Sequence, residues 1–460
     1  MVTSMISLNE RLGLSKTYYR SMKTQDYSFR IHHLNRLECY LKAHEMQMNQ
    51  ALYLDLRKSA EESYLSELGL VYQEIRFMRK HLKRWMKPKR VRTGMVQWPS
   101  QGWIYQEPLG VVLIISPWNY PLQLSLVPLI GALASGNCCI LKTSEHAPAT
   151  AAFLTQLVND LFDPDFISVV EGDAQVSHIL TTLPFDAIFF TGSTAVGKQV
   201  LATAATNLVP VTLELGGKSP AVVAGDADIN LAAKRIIWGK CLNSGQTCVA
   251  PDMVYVDERV YDAFISACIR WIKVFYGDTP LTHPDWGRII NTSHYQRLVN
   301  YLNQGTICYG GGFCESTLQI EPTLMSHLEP GGSIWEDELF GPILPVVAFK
   351  DMNALIDELS MMPHPLALYL FTPSKSIESA VLKSLSFGGG CINDTIMHLT
   401  SDHLPFGGIG VSGMGAYHGQ KSLETFSHSK SILKSSSGFD LPLRYPPYQK
   451  SMRWLKRFFR

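Results

Sequence analysis

Apolar residues recur every three or four positions at Leu65, Leu68, Val71, Ile75, Met78 and Leu82. That spacing predicts a helix with one buried stripe. From Ser28 to Lys87 the chain carries no proline and one glycine, Gly69, so the region before residue 90 reads as helical. The segment Lys87-Pro-Lys-Arg-Val-Arg-Thr-Gly94 ends the pattern. Met95 to Gln106, rich in Val, Trp, Ile and Tyr, predicts an extended ribbon.

From residue 110 the pattern alternates. Gly110 to Ser116 is a continuous apolar run, as a strand buried on both faces should be. Pro121 to Ser135 predicts a helix, Cys138 to Lys142 a strand, Ala147 to Leu161 a helix. Phe166 to Val170 and Ala187 to Phe190 are two further strands. Repeated strand–helix units imply an open parallel sheet with helices on both faces, and such sheets bind ligands at the carboxyl ends of their strands. A second α/β stretch starts near Leu213, with strands at Ala221 to Ala224, Met253 to Val256 and Pro345 to Phe349.

Composition narrows the class. With 460 residues, 46% hydrophobic and 18% charged, the chain can bury a large core in two or three domains. A net charge of +1 argues against a dedicated nucleic-acid binder. The nine cysteines form no C-x-x-C pair and read as reduced thiols of a cytoplasmic protein; no metal site is expected. The N-terminus has no basic head with an apolar run behind it. Leu122 to Leu141 is interrupted by Gln123, Ser125, Pro128, Gly136 and Asn137, and reads as a buried helix followed by a strand, not a membrane span.

Four loops carry candidate chemistry. In Ser116-Pro-Trp-Asn-Tyr-Pro121, directly after a strand, the Asn119 amide is placed to donate to an oxyanion; alternatively it is a turn residue bonding its own backbone. In Phe189-Phe-Thr-Gly-Ser-Thr-Ala-Val-Gly197 a strand runs into Gly192 and Gly197 opens a helix, a geometry that suits a phosphate or merely turns the chain. Glu214, in Thr212-Leu-Glu-Leu-Gly-Gly-Lys-Ser-Pro220, is either an outward strand residue or a buried base with a raised pKa. Cys248, in Asn243-Ser-Gly-Gln-Thr-Cys-Val-Ala-Pro251, is either an inert small hydrophobe or a nucleophile presented by a loop.

Together these islands resemble the aldehyde dehydrogenase superfamily. Pro117-Trp-Asn-Tyr-Pro121, Leu213-Glu-Leu-Gly-Gly-Lys-Ser-Pro220, Gly245-Gln-Thr-Cys248 and Glu338-Leu-Phe-Gly-Pro342 stand in that family's order. The ending Leu404-Pro-Phe-Gly-Gly-Ile-Gly-Val-Ser-Gly-Met-Gly-Ala-Tyr-His-Gly419 with Phe426-Ser-His428 looks like its class 3 group of fatty and aromatic aldehyde dehydrogenases. The resemblance implies an α/β fold with a Rossmann-type cofactor domain (1–88 and 106–212) and an α/β catalytic domain (213–395). It adds a β-ribbon oligomerisation element with bridging segments (89–105 and 396–440) and a tail (441–460). It implies NAD(P)-dependent oxidation of an aldehyde to an acid through a cysteine thiohemiacetal and thioester.

The resemblance also implies roles. Cys248 is the nucleophile, Asn119 and the Cys248 N–H hold the oxyanion, and Glu214 activates the deacylating water. Lys142 and Glu145 meet the adenosine ribose, Gly192, Ser193 and Gly197 the pyrophosphate, and Glu338 and Phe340 the nicotinamide side. Thr143 departs from the family's usual proline and leaves the choice between NAD and NADP open. Two rivals remain: an enzyme that passes the thioester to coenzyme A, whose kind generally lacks the deacylating Glu, and a silent structural relative. The ribbon and the segment from Ser412 to Ser431 imply a homodimer. In the tail, Trp454, Leu455, Phe458 and Phe459 share one helical face flanked by Arg453, Lys456, Arg457 and Arg460, which suits either an anionic membrane surface or the partner subunit.

Overall fold

The computed structural model describes residues 5–94 and 97–440, with 445, 446, 452 and 456 beyond them. Met95 and Val96, and most of the amphipathic tail, lie outside the described residues. The N-terminal region is helical, with long helices at Met5–Arg20, Tyr27–Ala43, Glu45–Leu56 and Gly69–Trp85. The predicted stripe departs at one point. Leu68, Val71, Ile75, Met78 and Leu82 are buried, but Leu65 is 58% exposed. The cause is a π-turn at Tyr64–Leu68. Its wider turn rotates Leu65 off the stripe and brings Glu67 fully inside.

A six-stranded sheet follows. Its order is Gly413–Met414, Val211–Glu214, Ala187–Thr191, Val111–Ile115, Cys138–Lys142, Ile167–Val170. The last five are parallel; Gly413–Met414 is an antiparallel edge. Three of these strands are buried at every position, which explains their unbroken apolar runs. The expected boundary at 212/213 falls inside Val211–Glu214, a strand of this first sheet.

The second sheet has seven strands, in the order Thr306–Tyr309, Thr323–Ser326, Ile343–Phe349, Met253–Asp257, Pro220–Val223, Ala367–Phe371, Gly389–Ile392. All neighbours run parallel except the first pair. A separate three-stranded ribbon joins Lys89–Val91, Gln101–Pro108 and Ser427–Lys434. The ribbon therefore reaches past Gln106, and residues 97–100 form a turn before it. Of the Ser412-to-Ser431 segment, Gly413–Met414 belongs to the first sheet and only the end joins the ribbon.

Candidate active site

The helix Ile229–Cys241 ends and the chain enters a tight turn at Leu242–Gly245. Asn243, Ser244 and Gly245 are successive left-handed residues, with φ of 53°, 51° and 77°. Each non-glycine residue there costs about 1–3 kcal/mol unless its surroundings compel it. Gln246 supplies the compulsion. Its amide donates to the carbonyls of Asn243 and Arg288 at 3.0 Å each, and its oxygen accepts from the Ile290 N–H at 3.0 Å. Thr247 is tied to the Tyr120 hydroxyl at 2.5 Å. Cys248 follows, half-buried, on a loop held from both sides.

Asn119 lies beyond the strand Val111–Ile115 and is 4% exposed. Its Nδ2 donates to the Gln246 carbonyl at 3.0 Å. That uses one of the two amide N–H groups and leaves the second for a ligand. Glu214 ends its strand, buried, and neither carboxylate oxygen has a hydrogen-bond partner among the described residues. The outward reading of Glu214 is thereby excluded.

Burial pushes the Glu214 carboxyl well above its ordinary pKa. The Cys248 thiol is pushed up by burial first and then by the charges of Glu338 and Glu214, while the N–H groups of Cys248 and Val249 pull it down. Glu338 is pushed up to about 8, by burial first and then by Asp252. A positive charge placed among these three groups would favour the ionised form of each.

A cavity of about 620 Å³ runs along the carboxyl ends of the first sheet to these residues. Lys142, Glu145, Gly192, Ser193, Glu338 and Phe340 line it, as do Asn119, Glu214 and Cys248. The Lys142 ammonium is buried, donates to the Thr143 carbonyl at 2.5 Å and stands 3.5 Å from Glu145. Thr143 stands in this turn where the resemblance expects proline, and its carbonyl accepts from Lys142. Gly197 does not line the cavity and does not open the helix. The helix is Thr194–Ala205, and Ser193 caps it by accepting from the Val196 N–H at 3.4 Å. Gly197 lies one turn in, where a Cβ would run into the Leu215 side chain. Its missing side chain lets helix and sheet approach closely.

The residues present fit a dinucleotide. The helix Thr194–Ala205 begins at the cavity wall, where Gly192 and Ser193 line it, and the N–H groups of a helix N-terminus suit a phosphate. A Cβ at Gly216 would run into the Glu338 carboxylate, so backbone and acid are in contact on the cavity wall. Ser116 and Thr191 add buried hydroxyls on the cavity wall with no hydrogen-bond partner among the described residues.

Sequence reasoning missed three residues of this cavity. Trp118 packs edge-on against Phe340, centroids 5.3 Å apart, and against His294 at 5.1 Å. Arg297 donates to the carbonyls of Glu338 and Leu339 at 3.2 and 2.8 Å. Burial lowers the His294 pKa to about 4, so the ring is neutral at physiological pH. His294 and Arg297 sit three apart on the helix Thr292–Tyr301, a spacing that marks a shared face but not what it faces.

A second cavity, about 110 Å³, meets the first at Thr191, Glu214 and Cys248. Its wall is apolar, with Leu65, Leu70, Trp238, Leu242, Met397 and Leu399. Leu65, exposed to solvent by the π-turn, borders it.

The model of the aldehyde dehydrogenase family matches residues 9–432. The chain is 45% identical over 448 residues to the 4,4'-diaponeurosporen-aldehyde dehydrogenase of Staphylococcus aureus, covering 97% of this chain and 98% of the relative. It is similar to a solved structure of the substrate-bound state of Staphylococcus aureus AldH, with TM-score 0.96 and 44% identity over 98% of this chain and 99% of the other. A betaine aldehyde dehydrogenase of the same organism in complex with NAD+ superposes with TM-score 0.86 at 26% identity, over 96% of this chain and 92% of that one.

Proposed function

The chain belongs to the aldehyde dehydrogenase family and oxidises aldehydes to carboxylic acids with a nicotinamide cofactor, and we propose that Cys248, Glu214 and Asn119 carry the reaction. The observation that supports this most is the meeting of the two cavities at Cys248 and Glu214. The larger cavity takes the cofactor and the smaller, apolar one the aldehyde chain.

Cys248 attacks the aldehyde carbon as its thiolate, which a positive charge beside it and the N–H groups of Cys248 and Val249 favour, and the carbonyl oxygen becomes an oxyanion. The free N–H of the Asn119 amide and the Cys248 N–H hold it. The cofactor supplies the hydride acceptor and a positive charge. Collapse of the oxyanion expels the hydride and leaves a thioester on Cys248. Glu214, with no partner for either oxygen, takes a proton from the water that attacks this thioester, and the acid leaves. The presence of Glu214 favours water over coenzyme A as acceptor. Lys142 and Glu145 meet the adenosine ribose, Gly192 and Ser193 the pyrophosphate, and Glu338 and Phe340 the nicotinamide half. Gly197 acts only through packing.

Glu145 supports a preference for NAD. Its carboxylate accepts from a ribose 2′-hydroxyl and repels a 2′-phosphate. We expect kcat/KM to favour NAD by at least about tenfold, roughly 1.4 kcal/mol. Steady-state assays with both cofactors decide, and a tenfold preference for NADP contradicts this reading.

The apolar cavity supports an extended apolar aldehyde, the class to which the relative's named substrate belongs. Each methylene taken from water contributes about 0.8 kcal/mol, roughly fourfold in kcat/KM, until the cavity is filled. A series of straight-chain aldehydes should show that climb. A short polar aldehyde as the best substrate would contradict it.

The ribbon supports a homodimer. Ser427–Lys434 is exposed along its length and carries Ile432 and Leu433 outward at 42% and 52% exposure. An open strand edge pairs readily with a second chain. Light scattering should give twice the chain mass; a monomer or a tetramer contradicts this. No helix among the described residues is long and apolar enough to cross a membrane.

A further inference from the structure

Lys58 and Glu67 form an ion pair at 2.5 Å, and both side chains are fully buried. Neither enters the mechanism above. A buried pair is weak evidence for stability, because desolvation offsets most of the attraction. Its contacts point elsewhere. The Lys58 ammonium has three donors. It donates to Glu67 Oε1 and, at 3.0 Å, to the backbone carbonyl of Asn119, and lies 4.1 Å from the Tyr120 ring centroid. The other Glu67 oxygen accepts from the N–H groups of Leu122 and Gln123, at 2.9 and 3.1 Å. The pair thus grips the turn 119–123 on both sides of Pro121, which has no N–H to contribute.

The Asn119 carbonyl accepts a second bond, from Asn243 Nδ2 at 2.7 Å. Asn243 belongs to the strained turn that leads to Cys248. Its amide also donates to the Gln246 carbonyl, at 3.2 Å, the same oxygen that Asn119 Nδ2 reaches. So the backbone of Asn119 is fixed by Lys58 and its side chain is fixed to the nucleophile loop. The π-turn at Tyr64–Leu68 is what brings Glu67 inward, and π-turns occur often at functional sites.

We propose that Lys58 and Glu67 are a positioning pair that sets the Asn119 amide against the oxyanion formed at Cys248. This rests on the role given to Asn119 above. The pair touches neither substrate nor cofactor; it acts through Asn119.

The test is a double-mutant cycle on the full-length enzyme with NAD and an aldehyde. Lys58→Met, Asn119→Ala and the double variant are compared by the pre-steady-state burst of NADH. The dissociation constant for NAD is measured alongside. Lys58→Met should slow the burst by about 10²-fold, the effect of roughly 1 Å of misplacement, and leave NAD binding unchanged. In the Asn119→Ala background the same substitution should do almost nothing, since residues that act as a unit are not additive. A full hundredfold loss in that background overturns the proposal, as does a wild-type burst in folded Lys58→Met. A wild-type burst in Asn119→Ala alone overturns the role of Asn119, and the proposal with it. That failure is distinguishable because it appears with Lys58 intact. Should Lys58→Met not fold, Lys58→Met/Glu67→Leu replaces it, because it removes both charges of the pair. If that variant does not fold either, the pair is a folding element and the proposal is wrong.

Discussion

Alanine in place of Cys248 abolishes aldehyde oxidation, with a loss on the order of 10⁶ in kcat, the cost of deleting a covalent nucleophile. Cofactor binding persists. Cys248 touches the cavity only at the end where the two cavities join, whereas Lys142, Glu145, Gly192 and Ser193 lie along the rest of it. The loop around Cys248 is held by Gln246 and Thr247, so one missing sulfur leaves it in place. Thermal unfolding should therefore shift little. The check is turnover together with NAD titration by protein fluorescence. Near wild-type turnover in the purified variant contradicts the assignment.

Glutamine in place of Glu214 separates the two halves of the reaction. Acylation needs Cys248 as its thiolate, with Asn119; deacylation needs a base to activate the water. Glu214→Gln should keep a fast burst of NADH, while multiple turnover falls by roughly 10²–10⁴, the usual range for loss of a general base. The pH dependence carries a sign. Burial raises the Glu214 pKa, so the carboxyl is protonated, and idle as a base, to a higher pH than an exposed one. Deacylation in the native enzyme should rise with pH on a limb above the ordinary carboxylate range. A positive charge nearby moves that limb down towards neutrality without reversing it. In Glu214→Gln the limb disappears. Stopped-flow and steady-state profiles across pH test both, and a steady-state rate close to native refutes the role.

Much of this site is legible in the chain because its chemistry sits where apolar strands end. Asn119 follows the strand Val111–Ile115, whose apolar run marks it as buried, and Glu214 ends the strand Val211–Glu214. Each keeps a bland reading in the sequence, and only its burial in the structure removes it. Cys248 is marked by the run of polar residues and glycine that must break the helix before it. Other residues escape for physical reasons. Gly197 looks like a helix start because glycine and serine both open helices, and only Ser193's bond to Val196 decides between them. Lys58 and Glu67 look like solvated charges on an amphipathic helix. The π-turn that buries Glu67 leaves no trace in a pattern counted at ordinary helical spacing. The apolar cavity draws Leu65, Trp238 and Met397 from three distant segments, and periodicity within a segment does not report that convergence. The strand Gly413–Met414, far along the chain, closes the edge of the first sheet beside Glu214, a pairing no local signal carries.

The central claim is a thioester on Cys248 that Glu214 clears, and trapping it tests the claim most directly. Glu214→Gln is mixed with NAD and an apolar aldehyde, quenched in acid, and measured by intact-protein and peptide mass spectrometry. The account predicts one added acyl group per chain, located on the peptide that carries Cys248, formed in step with the NADH burst. Unmodified protein after a full burst, or an acyl group on any other residue, would contradict it.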